Sequence, residues 1–160
     1  MSSAGRVKRE IEWIYRRRYG KFLRVAHGIV ADEGRARDAV QEGFASALRA
    51  AGRFEGTEVE GWLWRIVVNA ALAERRRTAE WQPLDDVTGD SGGVDFDVFA
   101  VRDWLVALPE RQRLAIFLRY YADLDYRSIA EALEIEVGTV SATLSQAHTA
   151  LRRQLKEVER

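Results

Sequence analysis

The sequence predicts an all-α fold in which two small helical domains are joined by a flexible acidic linker. Apolar residues recur at intervals of three and four along most of the 160-residue chain, which is the spacing of one helix face. The Val-rich alternation typical of strands is absent, and turn dipeptides are few. Because helical domains of about 60 to 70 residues can each close a core, this length accommodates two.

Residues 1–81 form the first predicted domain, which contains three helices at residues 7–31, 34–51 and 61–79. Each carries an apolar stripe that we expect to face a shared core. The stripes are Ile11, Ile14, Tyr15, Phe22 and Val25, then Ala36, Ala39, Val40, Phe44, Ala47 and Leu48, then Trp62, Leu63, Ile66, Val67 and Ala70. A short polar loop, residues 53–60, precedes the third helix.

Residues 82–96 are predicted to form the linker. Pro83, three glycines and four aspartates fall within this short window. Such a composition cannot bury enough apolar surface to order itself, so we expect a flexible segment.

Residues 97–160 form the second predicted domain, whose helices start near Asp97. After Pro109 the apolar residues again recur at helical spacing, and a helix-turn-helix ends the chain. The successive sets are Leu114, Phe117, Leu118 and Tyr121, then Tyr126, Ile129, Ala130 and Leu133, then Val140, Leu144, Ala147 and Leu151. Residues 134–138 interrupt the period, and Thr139 is predicted to cap the last helix. The second helix of such a motif normally enters a DNA major groove.

Composition excludes several classes of function. The chain has no cysteine, and its two histidines, His27 and His148, are far apart, so no metal and no cofactor are expected. No serine elbow or phosphate-binding glycine loop supports an enzyme. No apolar run suits a membrane span or signal peptide, so we expect a cytoplasmic protein without membrane insertion.

The formal net charge of zero hides a strong segregation. Residues 1–80 contain 16 basic and 11 acidic residues, whereas residues 81–100 contain five aspartates and no basic residue. A basic first half favours a polyanionic partner, although a merely solvated surface explains the same surplus.

Two groups of polar residues in the first half are candidate binding sites. On the third helix, Arg65, Asn69 and Arg76 lie near one line opposite the apolar stripe, where they can contact phosphates and bases. The preceding loop offers Arg53 and Phe54 to an unstacked base. For the third helix, the alternative is that its arginines stabilise the carboxyl end of the helix. For the loop, the alternative is an ordinary interhelical turn.

The second helix carries the other group, Asp38, Gln41 and Glu42, on its polar side. Their spacing of three and four residues places them together on one surface. An acidic and amide surface suits a protein partner better than DNA, and a solvated face is the alternative.

Taken together, these segments resemble an extracytoplasmic-function sigma factor, a two-domain bacterial transcription initiation factor. The matching segments of the first half are DAVQEGF (38–44), RFEG (53–56) and GWLWRIVVNAALAERRR (61–77). Those of the second half are LPERQRLAIFLRYYADLDYRSIAEAL (108–133) and VGTVSATLSQAHTALR (137–152). They cover nearly the whole chain in the order found in the family.

The resemblance implies that the protein binds core RNA polymerase and opens promoter DNA without ATP. The first domain would dock on the clamp helices of the beta-prime subunit, and by position the residues for this are Asp38, Gln41 and Glu42. The same domain would melt the minus-ten element and hold its bases, a role assigned to Arg53, Phe54, Arg65, Asn69 and Arg76. The acidic linker would pass through the polymerase cleft.

The second domain, by the same resemblance, would bind the beta-subunit flap and read the minus-thirty-five element. The residues assigned to that element are Thr139, Ser141, Thr143 and Gln146. An anti-sigma factor is a further candidate partner, because members of this group are often held inactive by one.

The chain departs from the family pattern in two places. Lysine or arginine is common in the family where Ser141, Thr143, Gln146 and His148 stand here, so we expect weak duplex binding. Gly43 replaces a larger residue, and we expect it to loosen its helix by up to about 1 kcal/mol. Two alternatives therefore stay open: a sigma-like polymerase-binding regulator that does not initiate, and an ordinary DNA-binding repressor.

Overall fold

A computed structural model describes residues 2–56, 58–79 and 107–158 of the chain. All regular structure in these ranges is helical, which confirms the predicted all-α class. The helices are α1 (Ser3–Val30), α2 (Glu33–Ala50), α3 (Val59–Ala79), α4 (Glu110–Ile116), α5 (Tyr126–Leu133) and α6 (Val137–Val158). A 3-10 turn at Ala51–Arg53 extends α2, and a π-helical turn at Phe117–Tyr121 extends α4.

The chain divides into two compact units, Met1–Ser91 and Gly92–Arg160. The predicted linker and the helix predicted near Asp97 lie outside the described residues. The predicted domain boundaries therefore stay predictions.

Helices α1 and α2 are separated by a tight reversal with a local cause. Ala31 adopts a left-handed conformation, φ 63°, and its N–H donates to the carbonyl of His27 at 2.8 Å. Asp32 then caps α2, because its carboxylate accepts from the backbone N–H of Arg35 at 2.8 Å. The predicted interruption at residues 32–34 is thus a helix end followed directly by a helix start.

Aromatic side chains form the centre of the first unit. Phe22 of α1 stacks on Trp64 of α3 with ring centroids 3.7 Å apart, and its other neighbour is Phe44 of α2 at 5.0 Å. Trp64 is fully buried, whereas Ile66 and Ala70, which were predicted to face the core, are only partly buried. Because α3 packs against both α1 and α2, it buries a wider arc than a single stripe.

Gly43 allows α2 and α3 to approach closely. A Cβ atom at this position would lie 2.7 Å from Val67 Cγ2 and 3.0 Å from Val67 Cα. This contact acts against the expected loosening by Gly43, because a larger residue there would overlap the backbone and side chain of α3.

The helix-turn-helix of the second unit consists of α5 and α6. Asp125 caps α5 by accepting from the Ser128 N–H at 2.8 Å, and Glu134 ends it in a left-handed conformation, φ 57°. The Val140 N–H donates to the Glu136 carbonyl at 3.1 Å, so α6 begins at Val137. The prediction that Thr139 caps α6 is wrong, because Thr139 lies inside the first turn.

The predicted apolar sets of this unit are largely buried. Leu114, Phe117, Leu118, Ile129, Ala130, Val140, Leu144 and Ala147 all lie in its core. Tyr126 is an exception at 40% exposure, and the guanidinium of Arg119 lies 5.7 Å from its ring centroid. This aromatic ring therefore contacts a cation at the surface instead of packing inside.

Candidate nucleic-acid and protein interfaces

The exposed side of α3 presents the predicted basic and amide residues. Asn69 and Arg76 are exposed, and Arg65 is half-buried and already engaged in an interaction within the fold. Asn69 and Arg76 are seven residues apart, or about 10 Å along one helix face. The structure therefore places an amide group and a guanidinium where they can contact successive positions of an extended anionic polymer.

The loop before α3 is shaped by the packing of Phe54. Its ring lies 5.0 Å from the ring of Trp62, and a Cβ atom on Gly56 would lie 3.2 Å from the Phe54 ring. Arg53, by contrast, is exposed at the end of the 3-10 turn. Phe54 therefore anchors the loop, and Arg53 is the predicted loop residue that is fully available to a ligand.

The polar side of α2 presents Asp38, Gln41 and Glu42, all exposed. Gln41 Nε2 donates to the hydroxyl of Tyr15 at 2.9 Å, and Glu42 accepts from Arg49 at 3.0 Å. These bonds hold two of the three side chains in place. The surface is thus polar, predominantly acidic and partly ordered.

Beside this surface, α1 and α2 enclose a groove of about 410 Å³. Its lining combines apolar and polar side chains: Ile11, Glu12, Tyr15, Arg16, Gln41, Phe44, Ala45 and Leu48. Gln41 belongs to both the groove and the polar side of α2. The sequence pattern did not reveal the groove, because it depends on how two helices pack and not on either helix alone.

The outer face of α6 is exposed and uncharged over its first turns. Ser141 and Gln146 are exposed and Thr139 is half-buried, so these three can reach a ligand. Thr143 is only 5% exposed, and its hydroxyl donates to the Thr139 carbonyl at 2.7 Å. Its position three residues after Val140 and four before Ala147 could have indicated from the sequence that it faces the core.

Three acidic residues precede this face along the chain. Glu131, Glu134 and Glu136, in α5 and the turn that follows it, are all exposed. His148 is half-buried, and its Nε2 lies 2.8 Å from the hydroxyl of Tyr120. The first turns of α6 therefore offer hydrogen-bonding groups to a partner but no lysine or arginine.

One surface of the first unit was not predicted from the sequence. The outer side of α1 exposes Trp13, and the guanidinium of Arg17 lies 5.7 Å from its ring centroid. The helical spacing of the exposed basic residues around Trp13 was a signal that could have identified this surface.

Among the described residues, no group of three or more His, Asp or Glu side chains could hold a metal ion. Within the same ranges, no helix is long and apolar enough to cross a membrane.

Two protein families match the chain in succession. Sigma-70 region 2 matches residues 14–81, and Sigma-70 region 4 matches residues 99–151. The first region thus contains α2, the loop and α3, whereas the second contains the helix-turn-helix.

Curated relatives extend this similarity over nearly the whole chain. The RNA polymerase sigma-H factor of Pseudomonas aeruginosa is 30% identical over 173 residues, covering 96% of this chain and 90% of the relative. The ECF RNA polymerase sigma factor SigM of Mycobacterium tuberculosis is 33% identical over 147 residues, covering 89% of this chain and 75% of the relative.

Solved structures share the fold. CnrH in complex with the cytosolic domain of CnrY gives a TM-score of 0.74 at 20% identity, covering 96% of this chain and 95% of that one. The sigma factor RpoE in complex with the anti-sigma factor NepR from Bartonella quintana gives a TM-score of 0.63 at 23% identity, covering 84% of this chain and 89% of that one.

Proposed function

Because the chain belongs to the family of extracytoplasmic-function (ECF) sigma factors, we propose that it directs core RNA polymerase to specific promoters and opens the minus-ten element without ATP. The observation that carries this proposal is the presence of both sigma-70 regions, in order, in one chain. Members of this family are initiation factors and not enzymes. A cytoplasmic location is part of the proposal.

The polymerase-binding surface in this proposal is the polar side of α2. Asp38, Gln41 and Glu42 are exposed on one face, and the groove between α1 and α2 adds apolar surface beside them. An apolar centre flanked by polar groups is the usual composition of a protein interface. The beta-prime clamp helices are the proposed occupant.

The minus-ten surface in this proposal is formed by the loop and the exposed side of α3. Arg53, Asn69 and Arg76 are exposed there, and Arg65 lies between the loop and Asn69. Arginines would bind phosphates of the separated strand, and Asn69 would hydrogen-bond a base. Unstacking a base costs a few kcal/mol, which such contacts can offset without ATP. Phe54 would position the loop through its packing on Trp62.

The second unit is proposed to bind the beta flap and to read the minus-thirty-five element. Ser141, Gln146 and Thr139 can hydrogen-bond base edges from α6. Thr143 is not part of this set, because it is buried and its hydroxyl donates to the Thr139 carbonyl. The uncharged face of α6 should make duplex binding weak, so polymerase contacts would contribute most of the promoter affinity.

Transcription with the purified chain and core polymerase on a library of genomic promoters tests the proposal. We expect initiation at a small set of promoters that core polymerase alone does not use. Asn69→Ala should reduce open-complex formation at those promoters, whereas Gln154→Ala, on the same chain but outside the proposed sites, should not. The absence of specific initiation at every promoter would contradict the proposal.

A polymerase-binding regulator that does not initiate is the second candidate, and the uncharged face of α6 favours it. The curated relatives are named as sigma factors, which gives this alternative no support. Core polymerase binding without transcription in the same assay would favour it.

An anti-sigma partner is part of the proposal as well. The RpoE neighbour was solved in complex with an anti-sigma factor, and the CnrH neighbour in complex with the cytosolic domain of CnrY. A protein that binds this chain and prevents core polymerase binding would be such a partner.

A further inference from the structure

The outer side of α1 carries a row of exposed basic residues around an exposed aromatic ring. Arg9, Trp13, Arg16, Arg17 and Arg24, which we call the α1 arginine face, recur at helical spacing and are all exposed. They occupy an arc of about 100° on the side opposite the buried residues of α1. The face therefore points away from the core that α1 shares with α2 and α3, and of its residues Arg16 also lines the groove between α1 and α2.

Trp13 is a surface residue, and the packing of the fold does not require its side chain. Of the three tryptophans in the described ranges, Trp62 and Trp64 are 9% and 0% exposed, whereas Trp13 is 52% exposed. The guanidinium of Arg17 lies against its ring, and more than half of the side chain stays open to solvent. An exposed indole ring can stack on a planar ligand group.

The arginines of this face are not neutralised by ion pairs within the described residues, although Glu12 lies three residues after Arg9 and four before Arg16. Arg9, Arg16 and Arg24 form no ion pair with another described residue, whereas Arg18 and Arg37 pair with glutamates at 2.8 Å and 2.7 Å. Unpaired guanidinium groups favour a ligand that brings its own negative charge. Their planar donors match the oxygens of a phosphate group.

The geometry of the face suits an extended ligand. Arg9 and Arg24 are 15 residues apart, or about 22 Å along the helix, which is long enough for several nucleotides. Gly20 lies between Arg17 and Arg24 on the same face, and a Cβ atom there would have nothing within 4 Å. A ligand can therefore approach the helix backbone closely at this point.

We propose that the α1 arginine face binds single-stranded nucleic acid, with a base stacked on Trp13 and phosphates held by the arginines. An acidic helical peptide fits less well, because a docked helix needs several apolar anchors and this face offers only one. Stacking and phosphate contacts tolerate any sequence, so this binding does not depend on promoter recognition.

Fluorescence anisotropy of a labelled twelve-nucleotide oligothymidine, which contains no promoter element, tests the proposal with the full-length chain. Trp13→Ala should weaken binding by about 5- to 150-fold, the effect typical of losing one stacked base. Trp13→Phe should restore most of the affinity. The double variant Arg16→Gln, Arg17→Gln should reduce the slope of log K against log salt concentration by about 1.4.

Matched controls come from surfaces outside the face. Leu155→Ala removes another exposed apolar side chain, and Arg37→Gln removes an exposed arginine of α2, so neither should change oligothymidine binding. Thermal unfolding followed by circular dichroism should show that Trp13→Ala keeps the fold, since Trp13 lies at the surface.

Three outcomes would overturn the proposal. The first is unchanged oligothymidine binding by Trp13→Ala, and the second is an affinity for a duplex of the same length equal to that for the oligothymidine. The third is that a polyglutamate peptide competes as effectively as nucleic acid, which would indicate an acidic protein partner. Promoter-specific transcription by Asn69→Ala tests the α3 surface independently, so failure of one proposal is distinguishable from failure of the other.

Discussion

Gly43 shows how one missing Cβ atom determines the spacing of two helices. Helix propensity alone favours alanine over glycine by about 1 kcal/mol in a helix interior. At residue 43 the contact with Val67 reverses that preference, because a Cβ atom would lie 2.7 Å from the Val67 side chain and 3.0 Å from its backbone.

We therefore expect Gly43→Ala to lower the free energy of unfolding by about 1 to 3 kcal/mol through overpacking. Gly20→Ala is the matched control in α1, and it should raise the free energy of unfolding by about 0.5 to 1 kcal/mol because its Cβ atom meets nothing. Urea denaturation of both variants measures the two effects. An increase in stability for Gly43→Ala would contradict the close approach of α2 and α3.

Asp125 provides a second test at a single residue. The backbone N–H of Ser128, which donates to the carboxylate, lowers the pKa of Asp125 below its ordinary value of about 3.8. A lowered folded-state pKa means that the carboxylate stabilises the fold above the unfolded pKa and loses this effect as the pH falls through the folded pKa.

At pH 7 we expect Asp125→Ala to cost about 0.5 to 2 kcal/mol in the free energy of unfolding, which is typical for loss of a helix cap. The difference from the unmodified chain should shrink as the pH falls below about 4. Asp125→Asn should keep most of the cap without this pH dependence. A cost of Asp125→Ala that stays constant from pH 7 to pH 2 would show that the carboxylate charge contributes nothing.

At the scale of single elements, α6 shows which residues of a helix can be changed to alter DNA binding. Ser141 and Gln146 point outward, whereas Thr143 packs inside and donates to the Thr139 carbonyl. A substitution at Ser141 or Gln146 therefore changes the surface of α6, whereas a substitution at Thr143 changes its buried side.

We expect the double variant Ser141→Arg, Gln146→Arg to raise duplex affinity and to steepen the slope of log K against log salt concentration by up to about 1.8. Thr143→Arg should instead lower the unfolding temperature, because the arginine would place a charge in the core. Anisotropy with a labelled promoter duplex and thermal unfolding measure the two effects. Equal gains in duplex affinity from residues 141 and 143 would contradict the placement of Thr143.

At the scale of the whole molecule, the proposal divides polymerase binding and strand separation between different surfaces. We expect the double variant Asp38→Lys, Glu42→Lys to abolish core polymerase binding, because it reverses the charge of the α2 surface. Binding of the oligothymidine by α1 should persist in that variant. Glu157→Lys, a charge reversal at another exposed residue near the end of α6, is the control.

Co-purification with core polymerase measures this separation. Retained polymerase binding by the α2 variant would exclude the polar side of α2 as the docking surface. Loss of both polymerase and oligothymidine binding would indicate a general loss of structure, which circular dichroism of the same preparation would detect.

Helical periodicity predicted the helices well, since the predicted starts at residues 7, 34 and 61 lie within a few residues of Ser3, Glu33 and Val59. The family resemblance was also available from the sequence. What periodicity missed depends on the packing of one helix on another: the burial of Trp64, the close approach at Gly43 and the groove beside Gln41. The exposure of Trp13 was missed for the opposite reason, because a large aromatic residue is normally expected inside.

The π-helical turn at Phe117–Tyr121 has a consequence for how the second unit tolerates changes in chain length. The Ala122 N–H donates to the Phe117 carbonyl at 3.2 Å, so this turn holds one residue more than an α-helical turn. Deleting one residue here would restore a regular helix but rotate the following chain by about 100°. Tyr120 would lose its contact with His148, and the Leu124 N–H would no longer meet the Leu118 carbonyl. The number of residues in this turn is therefore as strictly determined as the identity of any buried side chain.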